Sequence, residues 1–464
     1  MTNKIDQQLI EGQEVNNVDR QNQTNQDDVG NSNSPKLPNV LRNKNFLLLF
    51  LGTLVSNVGN TFYSFVVSFY ILAITNNNAI IQGAFLATCG VVFLLFSTVG
   101  GVLADRYNKA KIIYICDFIK GGIIIISAVV IYFCIANDMV ILQIVVLFIM
   151  GIVSNIIGAI FSPATSSLTP YIVKPMQLQQ ANSYFSVLNS LQGIVGILIA
   201  GIIYSILPIM WLFVLIGILY VLSGISEIFI RYDFVKKEGT ITIKNVFADF
   251  VQGIRYLKPE KALVGLIMGI LFVNFFLTPY MSNGAPYFIK TYLNGEYLLS
   301  SVVKPEMWQS IWSVCVGAGS LIMGLIVSHK AQKAKYGKSI KLWMLLMAVA
   351  MTIAPISFYI FVYTKLSVSA YLIITSCLLF FFGLSVVNIN IPVATIIQSR
   401  VDKDMLAKVS SVLNIGSMGL TPIASMLGGV IIGLLGLGAV LIFCSVGFLF
   451  TAILISSNKS INSL

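Results

Sequence analysis

Leu51-Gly-Thr-Leu-Val-Ser-Asn-Val-Gly-Asn-Thr-Phe-Tyr63 returns, loosened, 217 residues later as Met268-Gly-Ile-Leu-Phe-Val-Asn-Phe-Phe-Leu-Thr-Pro-Tyr280. Gly52, Leu54, Asn57, Thr61 and Tyr63 of the first stretch stand again as Gly269, Leu271, Asn274, Thr278 and Tyr280. Two further echoes keep the same order: Lys109-Ala-Lys111 as Lys333-Ala-Lys335, and Ser186-Val-Leu-Asn189 as Ser411-Val-Leu-Asn414, at offsets of 224 and 225. Each match alone is short enough for chance. Three in order at nearly one offset mean that one unit is held twice, so the fold of the first half is expected again in the second.

The unit is built for lipid. Of 464 residues, 57% are hydrophobic and 10% charged, with a mean hydropathy of +0.87; a soluble domain carries about 25% charged residues. Twelve apolar stretches are visible, at about 46–74, 80–104, 112–136, 140–163, 182–206, 210–230, 262–288, 308–328, 341–362, 367–395, 408–434 and 437–457. Each can cross roughly 30 Å of hydrocarbon as a helix rising 1.5 Å per residue. Strands of a membrane barrel would instead be about ten residues long with alternating polarity. Soluble enzyme, nucleic-acid binder and secreted scaffold are poor fits. The expectation is an all-α membrane protein with six spans in each of two halves, 46–231 and 262–457, joined by a hydrophilic loop at 232–261. Residues 1–45, rich in Asn, Gln, Asp and Ser and lacking an apolar run, read as a disordered head, and 458–464 as a short tail. No basic segment leads into an early apolar run, so the stretch from Phe46 is expected to act as an uncleaved insertion signal.

Charge sets the orientation. If the N-terminus is inside, 25 of the 29 Lys and Arg fall in the head, tail and interior loops, three (Lys290, Lys304, Lys365) fall outside, and Lys120 lies within a span. Such asymmetry places both termini in the cytoplasm, and anionic lipid answers the net charge of +11 without any nucleic-acid partner. The six cysteines, Cys89, Cys116, Cys134, Cys315, Cys377 and Cys444, are scattered with no C-x-x-C pair and read as small buried residues; neither a disulfide framework nor a metal site is expected. Tyr336-Gly-Lys338-Ser339 ends like a phosphate-binding loop. Gln332 replaces the required upstream Gly, however, and no strand precedes it, so ATP and other cofactors are not expected. His329 reads as a solvated loop residue.

At the end of the second span stands Gly100-Gly101-Val-Leu-Ala-Asp105-Arg106-Tyr-Asn108-Lys109-Ala-Lys111. This resembles the signature loop of the major facilitator superfamily, G-x-x-x-D-R-x-G-[RK]-x-[RK]. Gly100 and Gly101 are expected to let a neighbouring helix approach. Asp105 is expected to face a helix N-terminus, with Arg106, Lys109 and Lys111 holding the loop to it and to anionic lipid. Asn108 replaces the family's Gly and is expected to take the left-handed turn that Asn tolerates. The second copy, Gly324-Leu-Ile-Val-Ser-His329-Lys330, has lost the Asp. Ile115-Cys-Asp117-Phe-Ile-Lys120, Phe161-Ser-Pro163-Ala-Thr, Leu178-Gln-Gln-Ala-Asn182-Ser183 and Phe250-Val-Gln-Gly253-Ile-Arg-Tyr256 resemble the macrolide-efflux-like branch of drug exporters. The resemblance covers about 46–457. It implies the major facilitator fold, two pseudo-symmetric six-helix bundles, and a secondary transporter rather than an enzyme.

Polar groups within hydrocarbon are costly and mark function. Asn57, Asn60 and Ser64 share one face of the first span, beside Tyr63. Asn57 lies eleven residues beyond Phe46, about 16 Å deep. Asn274, and toward the outer side Tyr280 and Asn283, are expected to join them around a central cavity, although such amides can equally tie helices together. Asn388, also a cavity candidate, Asn390 and Asn155 carry a weaker signal. Pro279, Gly284 and Pro286 should bend the seventh span. Asp117, Lys120 and Glu227 are the proton-coupling candidates: Asp117 and Lys120 can pair at i, i+3, either as a pair released by protonation or as a permanent one. A lining of amides and aromatics suits bulky, amphipathic, weakly polar molecules. The resemblance adds export, proton antiport and macrolide-like cargo; a monomer in a bacterial cytoplasmic membrane is expected. A lysolipid or siderophore exporter or flippase, and a non-transporting sensor that kept the fold, remain open.

Overall fold

The computed structural model describes residues 39–232, 234, 251–293, 295–328, 336–364 and 366–463. The head over 1–38, most of the loop at 232–261, His329, Lys333, Lys335 and Lys365 lie outside the described residues. Among the described residues there is no strand, and twelve long helices follow one another. They are α1 Lys44–Ile74, α2 Ala79–Arg106, α3 Lys109–Ala136 and α4 Val140–Ile172, α5 Pro175–Ile206, α6 Ile209–Ile228, α7 Lys261–Tyr292, α8 Met307–Ser328, α9 Gly337–Tyr363, α10 Val368–Arg400, α11 Lys403–Leu435 and α12 Leu437–Ser457. Eleven are long and apolar enough to cross a membrane, and α11 contributes the shorter apolar run Gly419–Leu435. A helix is the form a single apolar segment takes in lipid, because it satisfies its own N–H and C=O groups.

Short polar residues punctuate the chain between these runs. The side-chain oxygens of Asn43, Asn78, Asn108 and Ser367 accept from backbone N–H groups in the first turns of α1, α2, α3 and α10, which is what an N-cap does. Asn76 and Asn77 turn the chain between α1 and α2 at φ 51° and 60°. Between α11 and α12 one residue suffices: Gly436, at φ +86°, a conformation open to glycine.

Packing repeats as the sequence does. In the first half α1 and α3 lie against α6, while α2 and α3 lie against α4; in the second, α7 and α9 lie against α12, while α8 and α10, and α9 and α10, pair. A pseudo-twofold that exchanges the halves maps each contact onto its counterpart. The closest crossings are made by glycine. A Cβ on Gly100 would strike the Ala159 carbonyl of α4. In the other half, one on Gly319 would strike the Phe380 carbonyl of α10, and one on Gly383 the Val316 carbonyl of α8. Where apolar burial gains nothing over lipid, such backbone-to-backbone approach supplies the helix–helix attraction.

The halves meet through α2 against α11 and α5 against α8, two contacts related by the same twofold. Both are made at the face opposite the termini. A Cβ on Gly83 would lie 2.8 Å from Gly429 Cα, and one on Gly90 would lie 2.5 Å from Pro422 Cγ. Ser310 Oγ of α8 donates to the Ile197 carbonyl of α5 (2.7 Å), and Gly201 admits the Ser310 side chain. Neighbouring glycines differ in use: Gly428 takes Pro279 and Asn283, Gly429 takes α2 and Gly201 takes α8, whereas nothing lies closer than 3.7 Å to a Cβ on Gly196.

Candidate functional site

Three neighbouring cavities run through the middle of the protein. The largest, about 560 Å³, lies wholly within the first half and is lined from α1, α2, α3, α4, α5 and α6, from Tyr63 down to Thr169 and Asn182 near the termini face. A second, about 400 Å³, lies between the halves and shares Asn60 and Ser64 with the first. A third, about 460 Å³, shares Asn189 with the first and Met281 and Ser313 with the second.

One wall of the large cavity carries charge, brought there from three helices by simple spacing. Ser56 and Asn60 are one turn apart on α1, Asp117 and Lys120 on α3, and Tyr220 and Ser223 on α6, so each pair shares a face. Ser56 Oγ lies 2.5 Å from Asp117 Oδ2 and 2.8 Å from Ser223 Oγ. Ser223 Oγ donates to the Gly52 carbonyl (2.7 Å). Lys120 Nζ donates to Asn60 Oδ1 (2.6 Å), as does Tyr220 OH (2.7 Å), and the ammonium sits 4.5 Å from the centre of the Tyr220 ring. Asp117 and Lys120 are thus neighbours but not the direct ion pair expected from their i, i+3 spacing; among the described residues the ion pair found is Lys290–Glu306. The reason is competition: each group has a polar partner on a facing helix, closer in geometry than its neighbour on α3. Glu227 completes the group. It is fully buried, neither carboxylate oxygen has a hydrogen-bond partner, and it packs where a Cβ on Gly52 would be.

The expected cavity residues separate. Asn57, Asn60 and Tyr63 line the large cavity. Asn274, half-buried on α7, Tyr280, buried in the core of the second half, and Asn388, whose amide donates to its own helix at Leu384 O (2.9 Å), do not line these three cavities. Duplication thus repeats the backbone while the second half diverges in its walls. The counterpart of the charged wall packs Ile455 and Met344 onto Gly269. A lone Ser or Tyr in a span is ordinary, so Ser56, Ser223 and Tyr220 carry little signal in the sequence; the i, i+4 spacing of Ser56 to Asn60 and of Ser223 to Glu227, and the i, i+3 spacing of Tyr220 to Ser223, are the signal available.

In the signature loop, Gly100 makes the close approach and Gly101 does not, since nothing lies within 4 Å of a Cβ built there. The side chain of Asp105 lies outside the described residues. Arg106 and Lys111 are exposed. Lys109 is buried, its Nζ 4.9 Å from the Tyr171 ring centre, and its N–H donates to Tyr232 OH (2.8 Å). Asn108 does not enter the left-handed region. It sits at φ −62°, and its amide oxygen accepts from Lys111 N at 3.2 Å. Asn is favoured here as a helix cap, not as a substitute for glycine. Asn108→Ala is expected to cost about 1 kcal/mol and Asn108→Gly only a few tenths, read as thermal unfolding of the purified protein.

At the opposite face the halves are tied. Gln82 Nε2 donates to the Ser282 carbonyl (3.3 Å), and Lys304 donates to the Ser205 carbonyl. Lys290, paired with Glu306 at 2.6 Å, lies 5.9 Å from the ring centres of both Phe69 and Tyr204. Pro279–Gly284 forms a π turn in α7.

Two six-helix halves joined at one face, with one cavity in the first half and another between the halves, are the architecture of a membrane transporter. The family model for the Major Facilitator Superfamily matches residues 49–425, and the chain belongs to that family, one of transporters rather than enzymes. Its sequence relatives include the uncharacterized MFS-type transporter YvqJ of Bacillus subtilis (strain 168), 24% identical over 62% of this chain and 64% of that protein, so the match spans less than two thirds of that relative's length. Macrolide efflux protein A of Streptococcus pyogenes is 23% identical over 68% of this chain and 75% of that one. Among solved structures, a bacterial homologue of the iron transporter ferroportin in its inward-facing state superposes with a TM-score of 0.67 at 14% identity, covering 89% of this chain and all of that chain (100%). The outward-facing state of a bacterial ferroportin homologue gives 0.57 at 14% identity, covering 89% of this chain and 98% of that chain.

Proposed function

We propose that the protein exports amphipathic small molecules of drug or macrolide-like character in exchange for protons. It works in a bacterial cytoplasmic membrane as a monomer with both termini in the cytoplasm, needing no ATP, metal or other cofactor. The observation that carries this reading is the large cavity of the first half, with Asp117 and Lys120 in its wall and a lining that runs to Thr169 and Asn182 near the termini face, while the opposite face is closed by α2–α11 and α5–α8. The Lys and Arg asymmetry argues that the termini face is cytoplasmic, which makes this the state that receives cargo from inside. Rocking the halves about the cavity would then open it outward. Asp117 supplies a carboxyl that can lose and regain a proton as its surroundings alternate. The name of the macrolide-efflux relatives supports the direction and the kind of cargo.

Everted vesicles containing the chain and holding an acid lumen are expected to accumulate a macrolide or a lipophilic dye, and an uncoupler is expected to abolish the accumulation. Equal uptake by vesicles without the chain would overturn the exporter and favour a sensor of the same fold.

A further inference from the structure

The two parts of the cavity system differ in chemistry. In the first half, Asn57, Asn182 and Asn189 line the wall with side-chain amides that have no hydrogen-bond partner among the described residues. Each offers two donors and two acceptor lone pairs. Asn60, by contrast, is already taken by Lys120 and Tyr220. The charged groups of the wall are hydrogen-bonded as well, Asp117 to Ser56 and Lys120 to Asn60, and stand one of each sign within a turn of helix. The wall therefore offers a charged ligand group no net countercharge for the hydration it would lose, whereas a hydroxyl or neutral amide would find three open partners. Phe161 and Phe185 complete the lining of this lobe, aromatic rings of the kind that cover the C–H face of a sugar ring. Through Asn60 and Ser64 it continues into the cleft between the halves, where Phe65, Phe69, Leu86, Ile197, Met281 and Pro286 present mainly carbon.

We propose that the first-half lobe takes the uncharged, hydroxyl-rich head of an amphiphile, a sugar or other polyol, and the inter-half cleft takes its apolar body. This rests on the exporter reading and names the head group that such cargo carries. Sequence composition alone pointed to weakly polar molecules; the structure divides that into a polar end and an apolar end, with the polar end toward the termini face.

The test compares three probes with one tail: octyl glucoside, octyltrimethylammonium and octyl sulfate. Each is titrated below its micelle concentration by calorimetry into the full chain in lipid nanodiscs, with empty nanodiscs subtracted. Octyl glucoside is expected to bind about tenfold more tightly than either charged probe, a difference of one to two hydrogen bonds. Asn189→Ala, at a cavity-exposed position where packing loss is small, and Asn57→Ala are each expected to weaken octyl glucoside about threefold to tenfold and leave octyl sulfate unchanged. A charged probe binding as tightly as the glucoside, or glucoside affinity unmoved in both variants, overturns the proposal. Binding needs no gradient, so the two readings fail separately. Glucoside selectivity without gradient-driven accumulation removes the exporter, and accumulation without selectivity removes only the head group.

Discussion

Gly83→Leu is expected to force the halves apart at the face opposite the termini and to stop transport. A Cβ on Gly83 would already lie 2.8 Å from both Gly429 Cα and the Ser425 carbonyl of α11. Both obstacles are backbone, so no rotamer change relieves the clash. Overpacking of this kind costs about 1–3 kcal/mol, and because the contact exists only while that face is closed, the cost falls on one state. At the upper end it changes the ratio of the two states by about a hundredfold. Spin labels on Asn137→Cys and Ser300→Cys, in loops of different halves at that face and in a background lacking the six native cysteines, would report a longer, broader distance distribution. Gly122→Leu on α3 is the control, since nothing lies within 4 Å of a Cβ there. An unchanged distance in Gly83→Leu with transport intact would falsify the closed joint between α2 and α11.

The backbone of this protein was written plainly in its sequence, and the walls of its cavity were not. Span count, span order and two-part packing follow from apolar length and from the echo of Leu51–Tyr63 in Met268–Tyr280, because lipid leaves helices as the solution for isolated apolar segments. The echo misled where it was read as chemistry. Asn57 and Asn274 match in register, yet the first lines the large cavity and the second does not. A repeat preserves helix crossings, which need glycine at fixed positions, while the side chains facing the cargo are free to diverge. The i, i+3 spacing of Asp117 and Lys120 likewise correctly put both on one face of α3. It could not show that Ser56 and Asn60, more than fifty residues away in the chain, would claim them separately. Asn108 shows the same limit at one residue. The substitution for glycine suggested a left-handed turn, but the amide that makes Asn tolerant of that turn also makes it a good helix cap, and the cap is what formed.

Of the three proton-coupling candidates, their positions rank the consequences of neutralising them. Asp117 is buried but lines the large cavity, and is held through one oxygen, Oδ2, by Ser56. Asp117→Asn keeps an oxygen for that bond and removes the exchangeable proton. The variant is therefore expected to fold normally and to bind cargo, while gradient-driven accumulation in everted vesicles falls to the level of vesicles lacking the protein. Glu227 is different: it is fully buried, absent from the cavity wall and without a hydrogen-bond partner, so its route to the cavity runs past Ser223 and Ser56 toward Asp117. Glu227→Gln is expected to shift the pH dependence of transport without abolishing it, because the two carboxyls act on one another across the α1–α3–α6 interface and removing one changes the field at the other. Lys120→Met removes the remaining charge of the group but leaves Tyr220 on Asn60, and is expected to retain coupling at a reduced rate. Measuring accumulation against lumenal pH for all three variants gives the order Asp117 first, Glu227 second, Lys120 last. An Asp117→Asn protein that still accumulates cargo against a gradient, beside a Glu227→Gln protein that does not, would move the proton site from the cavity wall into the helix interface behind it.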